Sequence, residues 1–182
     1  MSNEIKILGL SGSLRKQSYN TAALRAAKEL LPAGAALEIA DLSMIPFFNE
    51  DVEAEGMPAA VADLRQKIAA ADALLLATPE YNYSIPPVLK NALDWASRGN
   101  DNPLNGKLAA IMSASPGMFG GARAQYHLRQ VCVVLNLQLF NKPEVFIMKA
   151  HEKFDAEGKL TDEYTRNAIA RLLQALVDQV KQ

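Results

Sequence analysis

Residues 5–31 read "IKILGLSGSLRKQSYNTAALRAAKELL". The opening "IKILGLS" is almost wholly apolar, as a strand buried on both faces must be. The closing "NTAALRAAKELL" puts Leu24, Ala27 and Leu31 on one face of a helix. The same alternation continues along the chain. "ALEIADL" (36–42), "ALLLATP" (73–79), "KLAAIMSAS" (107–115) and "PEVFIMK" (143–149) predict four more strands. "PAAVADLRQKIAAA" (58–71), "PPVLKNALDWASR" (86–98), "GARAQYHLRQVCVVLN" (121–136) and "TDEYTRNAIARLLQALVDQV" (161–180) predict the helices between and after them, the last opening on a Thr, Asp, Glu cluster suited to capping. Five strands alternating with helices imply an α/β fold, a doubly wound parallel sheet in the order 2-1-3-4-5. Residues 43–58 and 149–160 have no periodicity and are expected to be loops, and no internal repeat is present.

The chain has 182 residues, 49% of them hydrophobic, and a net charge of −1, which fits one domain over 1–182 with a sizeable core. With a pI near 6.1 there is no global pull toward nucleic acid or an anionic membrane, so small molecules or proteins are the expected partners. The lone Cys132 excludes an intramolecular disulfide and, in "VCVVLNL", reads as inert core. "MSNEIKILG" reaches its apolar run too soon for a leader peptide, and no run approaches the roughly 20 residues needed to span a bilayer, so the expected location is the cytoplasm. On that reading the glycosylation pattern at 82–84 is a coincidence.

In such a sheet, ligands bind beyond the carboxyl ends of the strands, where the winding reverses. The loop after the first strand carries Ser11, Ser13, Ser18 and Thr21 as hydroxyl donors and Arg15 as a cation, and it leads into a helix N-terminus that favours an anion. A polar loop that merely caps its helix through Ser18 or Asn20 is the alternative. Gly9 and Gly12 make neither G-x-x-x-x-G-K-[ST] nor G-x-G-x-x-G. After the third strand, "TPEYNYSIPPVLKNALDW" puts tyrosines and an asparagine between rigid prolines, suiting a flat heterocycle or a rigid turn. After the fourth, "SASPGMFGGARAQYHLRQ" offers glycines that admit close backbone approach or make a plain surface loop.

Together "GSLRKQSYN", "PEYNYSIPPVLKNALDW" and "SASPGMFGGARAQYHLRQ" resemble the NADPH-dependent FMN reductase family, in particular its bacterial quinone and chromate reductase branch. The resemblance covers most of the chain and implies a flavodoxin-like fold with noncovalent FMN. It implies that Ser13, Leu14, Arg15, Ser18, Tyr19 and Asn20 hold the phosphate end, that Pro79, Glu80, Tyr81, Asn82 and Tyr83 line the ring, and that Ser115 and Gly117 approach the flavin. Pro87 and Gln17 stand where the family commonly has glycine.

The implied reaction takes electrons from NADPH or NADH and passes them to a quinone-like acceptor, with chromate, azo dyes and free flavin as further possibilities; it needs no catalytic side chain. The resemblance also implies a homodimer or homotetramer in which Arg123, Tyr126 and Glu144 form an interface network. His127, His151 and the carboxylates of "FNEDVEAE" lack metal-ligand spacing, so no metal is expected. A flavodoxin-type electron carrier and a flavin-free regulatory or scaffold protein are the two other readings.

Overall fold

The computed structural model describes residues 4–182; residues 1–3, part of the segment read above as no leader, lie outside them. The elements are β1 (Ile5–Ser11), α1 (Tyr19–Glu29), β2 (Ala35–Ala40), α2 (Glu50–Glu55), α3 (Ala59–Ala70), β3 (Ala73–Thr78), α4 (Pro87–Ala96), β4 (Leu108–Ala114), α5 (Ala122–Val134), β5 (Gln138–Leu139), β6 (Val145–Ile147) and α6 (Glu163–Val180). All pairings between these strands are parallel, in the order β2-β1-β3-β4-β5, with β6 also on β4.

Strand residues alternate between two cores. Ile5, Ile7, Leu75 and Met112 pack with Leu24 of α1 and Ile169, Leu173 and Val177 of α6. Leu8, Leu10, Leu74, Leu76 and Ile111 face Ile68 of α3, Leu89 and Leu93 of α4 and Leu128 of α5. Helices thus cover both faces. The central strand β3 is buried at every position, which is why its sequence is apolar without a break.

The expected fifth strand at 143–149 is present but shorter, with Val145 to Ile147 beside Met112 to Ala114, and a further short piece precedes it, Gln138 and Leu139 lying beside Leu108 and Ala109. Pro143, lacking an N–H to donate, falls between them. Within the expected loop 43–58 stands α2, capped by Asn49, whose Oδ1 accepts from the Asp51 N–H at 2.9 Å, with Glu50, Asp51 and Glu53 in its first turn. A 3-10 turn, Ala150–Glu152, interrupts the other expected loop.

Asp162 caps α6. Its Oδ1 accepts from the Thr165 N–H at 2.9 Å and from the Thr165 hydroxyl, and Lys153 Nζ lies 3.3 Å away. The hydroxyl bond from Thr165, with the backbone bond and the Lys153 charge, holds the Asp162 carboxyl below its usual value. A lowered folded-state pKa adds stability above the unfolded value and loses it as pH falls through the folded one. Asp162→Ala is therefore expected to lose about 1 kcal/mol at neutral pH, with the gap to the parent closing below about pH 4. Urea unfolding of both proteins from pH 7 to pH 3 measures this; a pH-independent gap would exclude the carboxylate as its source.

Candidate functional site

Three loops meet at the carboxyl edge of the sheet, after β1, β3 and β4. They enclose a cleft of about 380 Å³ that gathers Ser13, Arg15, Ser18, Tyr19 and Asn20 from the first, Pro79, Glu80 and Tyr81 from the second, and Ser115 from the third. Ala114 and Pro116, absent from the sequence expectation, complete the lining.

Gly12 explains how the first two loops come so close. A Cβ there would stand 2.6 Å from Pro86 Cγ and 3.0 Å from Pro79 Cδ. Beyond it Ser18 caps α1, its Oγ accepting from the Thr21 N–H at 3.3 Å, so the capping role belongs to Ser18 and not Asn20. A hydroxyl that accepts still has its own proton to give. No acidic side chain occupies the first turn of α1, which leaves its positive end open to an anion. Ser13, also buried, accepts from the Arg15 N–H at 3.4 Å and from the Tyr81 hydroxyl at 3.5 Å. Ser11 and Thr21, expected as donors, bond each other at 2.8 Å and do not line the cleft. Arg15 is exposed, with its guanidinium 5.2 Å from the Tyr19 ring centre.

Asn20 bridges two loops. Its Nδ2 donates to the Ala114 carbonyl at 3.0 Å, and its Oδ1 accepts from the Ala114 N–H at 2.9 Å, so the side chain pairs with the end of β4.

Glu80 turns its carboxylate toward α5. That helix starts after Gly121, which has no side chain to cap it. Glu80 Oε2 takes the N–H groups of Arg123 and Ala124 at 3.2 and 3.4 Å, and the carboxylate pairs with the Arg123 guanidinium. The carboxylate's bond and charge make that guanidinium harder to deprotonate. The same guanidinium lies 3.7 Å from the Tyr83 ring centre and 4.7 Å from that of Phe119, a cation between two aromatic faces. Glu80 thus fastens the second loop to α5.

Four expected contacts stand apart from the lining. Asn82 and Tyr83 form the centre of a tight turn closed by reciprocal Tyr81 and Ser84 backbone bonds, both in the left-handed region at φ +49° and +67°. Leu14 is exposed and faces a neighbouring cleft beside β2. Gly117 donates its N–H to Ser115 Oγ at 3.2 Å.

Of the expected interface residues, Arg123 is engaged by Glu80 in its own chain, Glu144 pairs with Lys142 at 3.2 Å, and Tyr126 is exposed. Sequence reasoning missed Gln125, whose buried Nε2 donates to Ser113 Oγ and the Val145 carbonyl at 2.8 Å each, while Ser113 donates to the Gly120 carbonyl at 2.6 Å. A glutamine three residues into a helix carries no signal of that role.

Burial pushes the Cys132 thiol up to about 12, so it is not a nucleophile. No group of three or more metal-ligating side chains exists among the described residues, and no helix among them is long and apolar enough to cross a membrane.

A family model described as NADPH-dependent FMN reductase matches residues 5–152. An NAD(P)H-dependent FMN reductase of Pseudomonas aeruginosa is 58% identical over 176 residues, covering 97% of this chain and 95% of that protein. A quinone reductase of Escherichia coli is 41% identical over 178 residues, covering 96% and 95% respectively. Among solved structures, the flavoenzyme NAD(P)H:(acceptor) oxidoreductase FerB of Paracoccus denitrificans superposes with a TM-score of 0.88 at 33% identity, covering 97% of each chain.

Proposed function

The chain belongs to the NADPH-dependent FMN reductase family, and from that premise we propose that it binds FMN noncovalently in the three-loop cleft and moves electrons from a reduced pyridine nucleotide to quinones. The observation that carries this reading is the acid-free start of α1, which faces the cleft with the buried serines 13 and 18 and with Arg15, a donor set that fits a phosphate dianion. When bound, FMN supplies the hydride acceptance and onward electron transfer.

The side chains bind and orient. Ser13, Arg15, Ser18 and the first amides of α1 hold the phosphate, with Tyr19 flanking it and Asn20 fixing the loop to Ala114. Pro79 to Tyr81 border the ring, held in place by the Glu80 bond to α5, with Asn82 and Tyr83 forming the turn behind them, and Ser115 closes the third side. No side chain moves a proton in this scheme. Quinone as acceptor is supported by the names of the relatives; chromate and azo dyes stay secondary. A cytoplasmic setting follows from the need for reduced pyridine nucleotide. Self-association is supported by Tyr126, Val133 and Val134, which are exposed on α5.

The test is direct. Heat or acid is expected to release one FMN per chain, and the loaded protein is expected to oxidise NAD(P)H with a benzoquinone as acceptor. FAD in place of FMN, or a folded protein that binds no added FMN, would overturn the cofactor. FMN without NAD(P)H oxidation would leave the electron-carrier reading.

A further inference from the structure

A second cleft, of about 440 Å³, runs from residues 15–19 to residues 154–158. It meets the three-loop cleft at Arg15, Ser18 and Tyr19, the residues given above to the phosphate end of the flavin. Pro79, Glu80 and Tyr81, which border the ring, take no part in its lining. A ligand that fills both clefts therefore extends from the flavin phosphate and away from the ring.

The lining has three chemical parts. Lys16 and Arg25 join Arg15 as cations, and among the described residues none of the three makes an ion pair. With Arg15 on the flavin phosphate, Lys16 and Arg25 are left to a second anionic group, which relieves the repulsion among the three. The half-buried Tyr19 and the buried Phe154 form an aromatic wall, their rings 5.4 Å apart. Asp155 and Glu157 supply acceptors, and the Lys159 N–H fixes the first by donating to its Oδ1 at 2.7 Å.

Each part selects a group. Cations beyond the first phosphate take a second one, aromatic rings take a flat base, and carboxylates accept from sugar hydroxyls or an exocyclic amine. A volume of this size is that of a small-ligand site. FMN ends at its first phosphate, whereas FAD continues from that phosphate through a second one to a ribose and an amino-bearing base.

We propose that this cleft takes the adenylate half of FAD, with Lys16 and Arg25 on its second phosphate, so that the chain accepts the dinucleotide flavin as well as FMN. The assignment rests on the flavin reading of the three-loop cleft, with the FMN phosphate at Arg15. The ring end of the site is the same for both flavins.

The experiment equilibrates the FMN-loaded full chain with excess FAD and measures the ratio of FAD to FMN retained after desalting. Lys16→Gln, Arg25→Gln and Ala156→Trp are compared with the parent, Ala156 being an exposed residue of the second cleft; none of the three positions lines the flavin cleft. The parent is expected to retain FAD. Each neutralised cation is expected to lower the ratio about tenfold, the equivalent of one charge-assisted bond. Ala156→Trp, which fills the cleft with an indole, is expected to exclude FAD and keep FMN. FMN retained without FAD in the parent overturns the proposal and leaves the FMN reading standing, and so does a ratio equal in the parent and all three variants. FAD retained in preference to FMN, and lost in the variants, upholds the cleft and overturns FMN as the cofactor. A folded chain that holds neither flavin overturns both.

Discussion

Arg15→Ala is expected to weaken FMN roughly ten- to more than hundredfold, the equivalent of a charge-assisted hydrogen bond of about 1.5–3 kcal/mol, and to leave riboflavin almost untouched. Riboflavin has no phosphate, so it isolates what the guanidinium reads. The side chain is suited to the test because it is exposed, makes no ion pair among the described residues, and meets only the Tyr19 ring. Its removal therefore leaves the folded loop intact, since Ser18 and not Arg15 caps α1. Titrating both flavins into apo parent and apo variant, without pyridine nucleotide, gives a double-mutant cycle whose coupling equals nearly the whole FMN loss. Equal weakening of both flavins would show that Arg15 shapes the cleft without touching the phosphate.

The largest effect on stability is expected at Gly121. Its φ of +86° belongs to the left-handed region, and an added Cβ would stand 2.7 Å from Ser113 Cβ and 2.9 Å from Ser113 Oγ. Ser113 cannot yield easily, because it is fully buried and bonded to both Gly120 and Gln125. Backbone strain of about 1 kcal/mol and overpacking of about 1–3 kcal/mol put Gly121→Ala at about 2–4 kcal/mol. Gly34 is the control: φ is +83° and nothing lies within 4 Å of an added Cβ, so Gly34→Ala is expected to show the backbone part alone. Urea unfolding of the two variants separates the contributions. Equal losses would mean that Ser113 gives way without penalty.

What could be read from the chain was whatever is local. Both β1 and α1 were visible because burial on two faces and on one stripe leave periods in neighbouring residues. The Ser18 cap was visible for the same reason, though Asn20 competed with it. The short helix α2 escaped because it buries none of its residues, its charged and polar sequence being held by the Asn49 cap and by Arg98 against Glu53. The last strand was found at 145–147 but read too long, because an apolar run says nothing about which of its amides find partners, and the piece at 138–139 escaped because it is only two residues long. The site's loops were legible as three separate polar segments. Their fastening was not: Glu80 meets Arg123 across 43 positions and Asn20 meets Ala114 across 94. A single sequence carries no periodicity for such pairs. Phe119, the second face of the Arg123 stack, was hidden in a glycine-rich loop for the same reason.

The Asn20 side chain has an entropic consequence. Fixing a residue's backbone costs roughly 1–2 kcal/mol of conformational freedom. With one plane offering both a donor and an acceptor to Ala114, the start of α1 and the end of β4 share a frame. Aspartate could not replace it, since a carboxylate would face the Ala114 carbonyl with nothing to donate. The conformational cost of holding the start of α1 against the end of β4 is therefore met by bonds within the chain, formed as it folds.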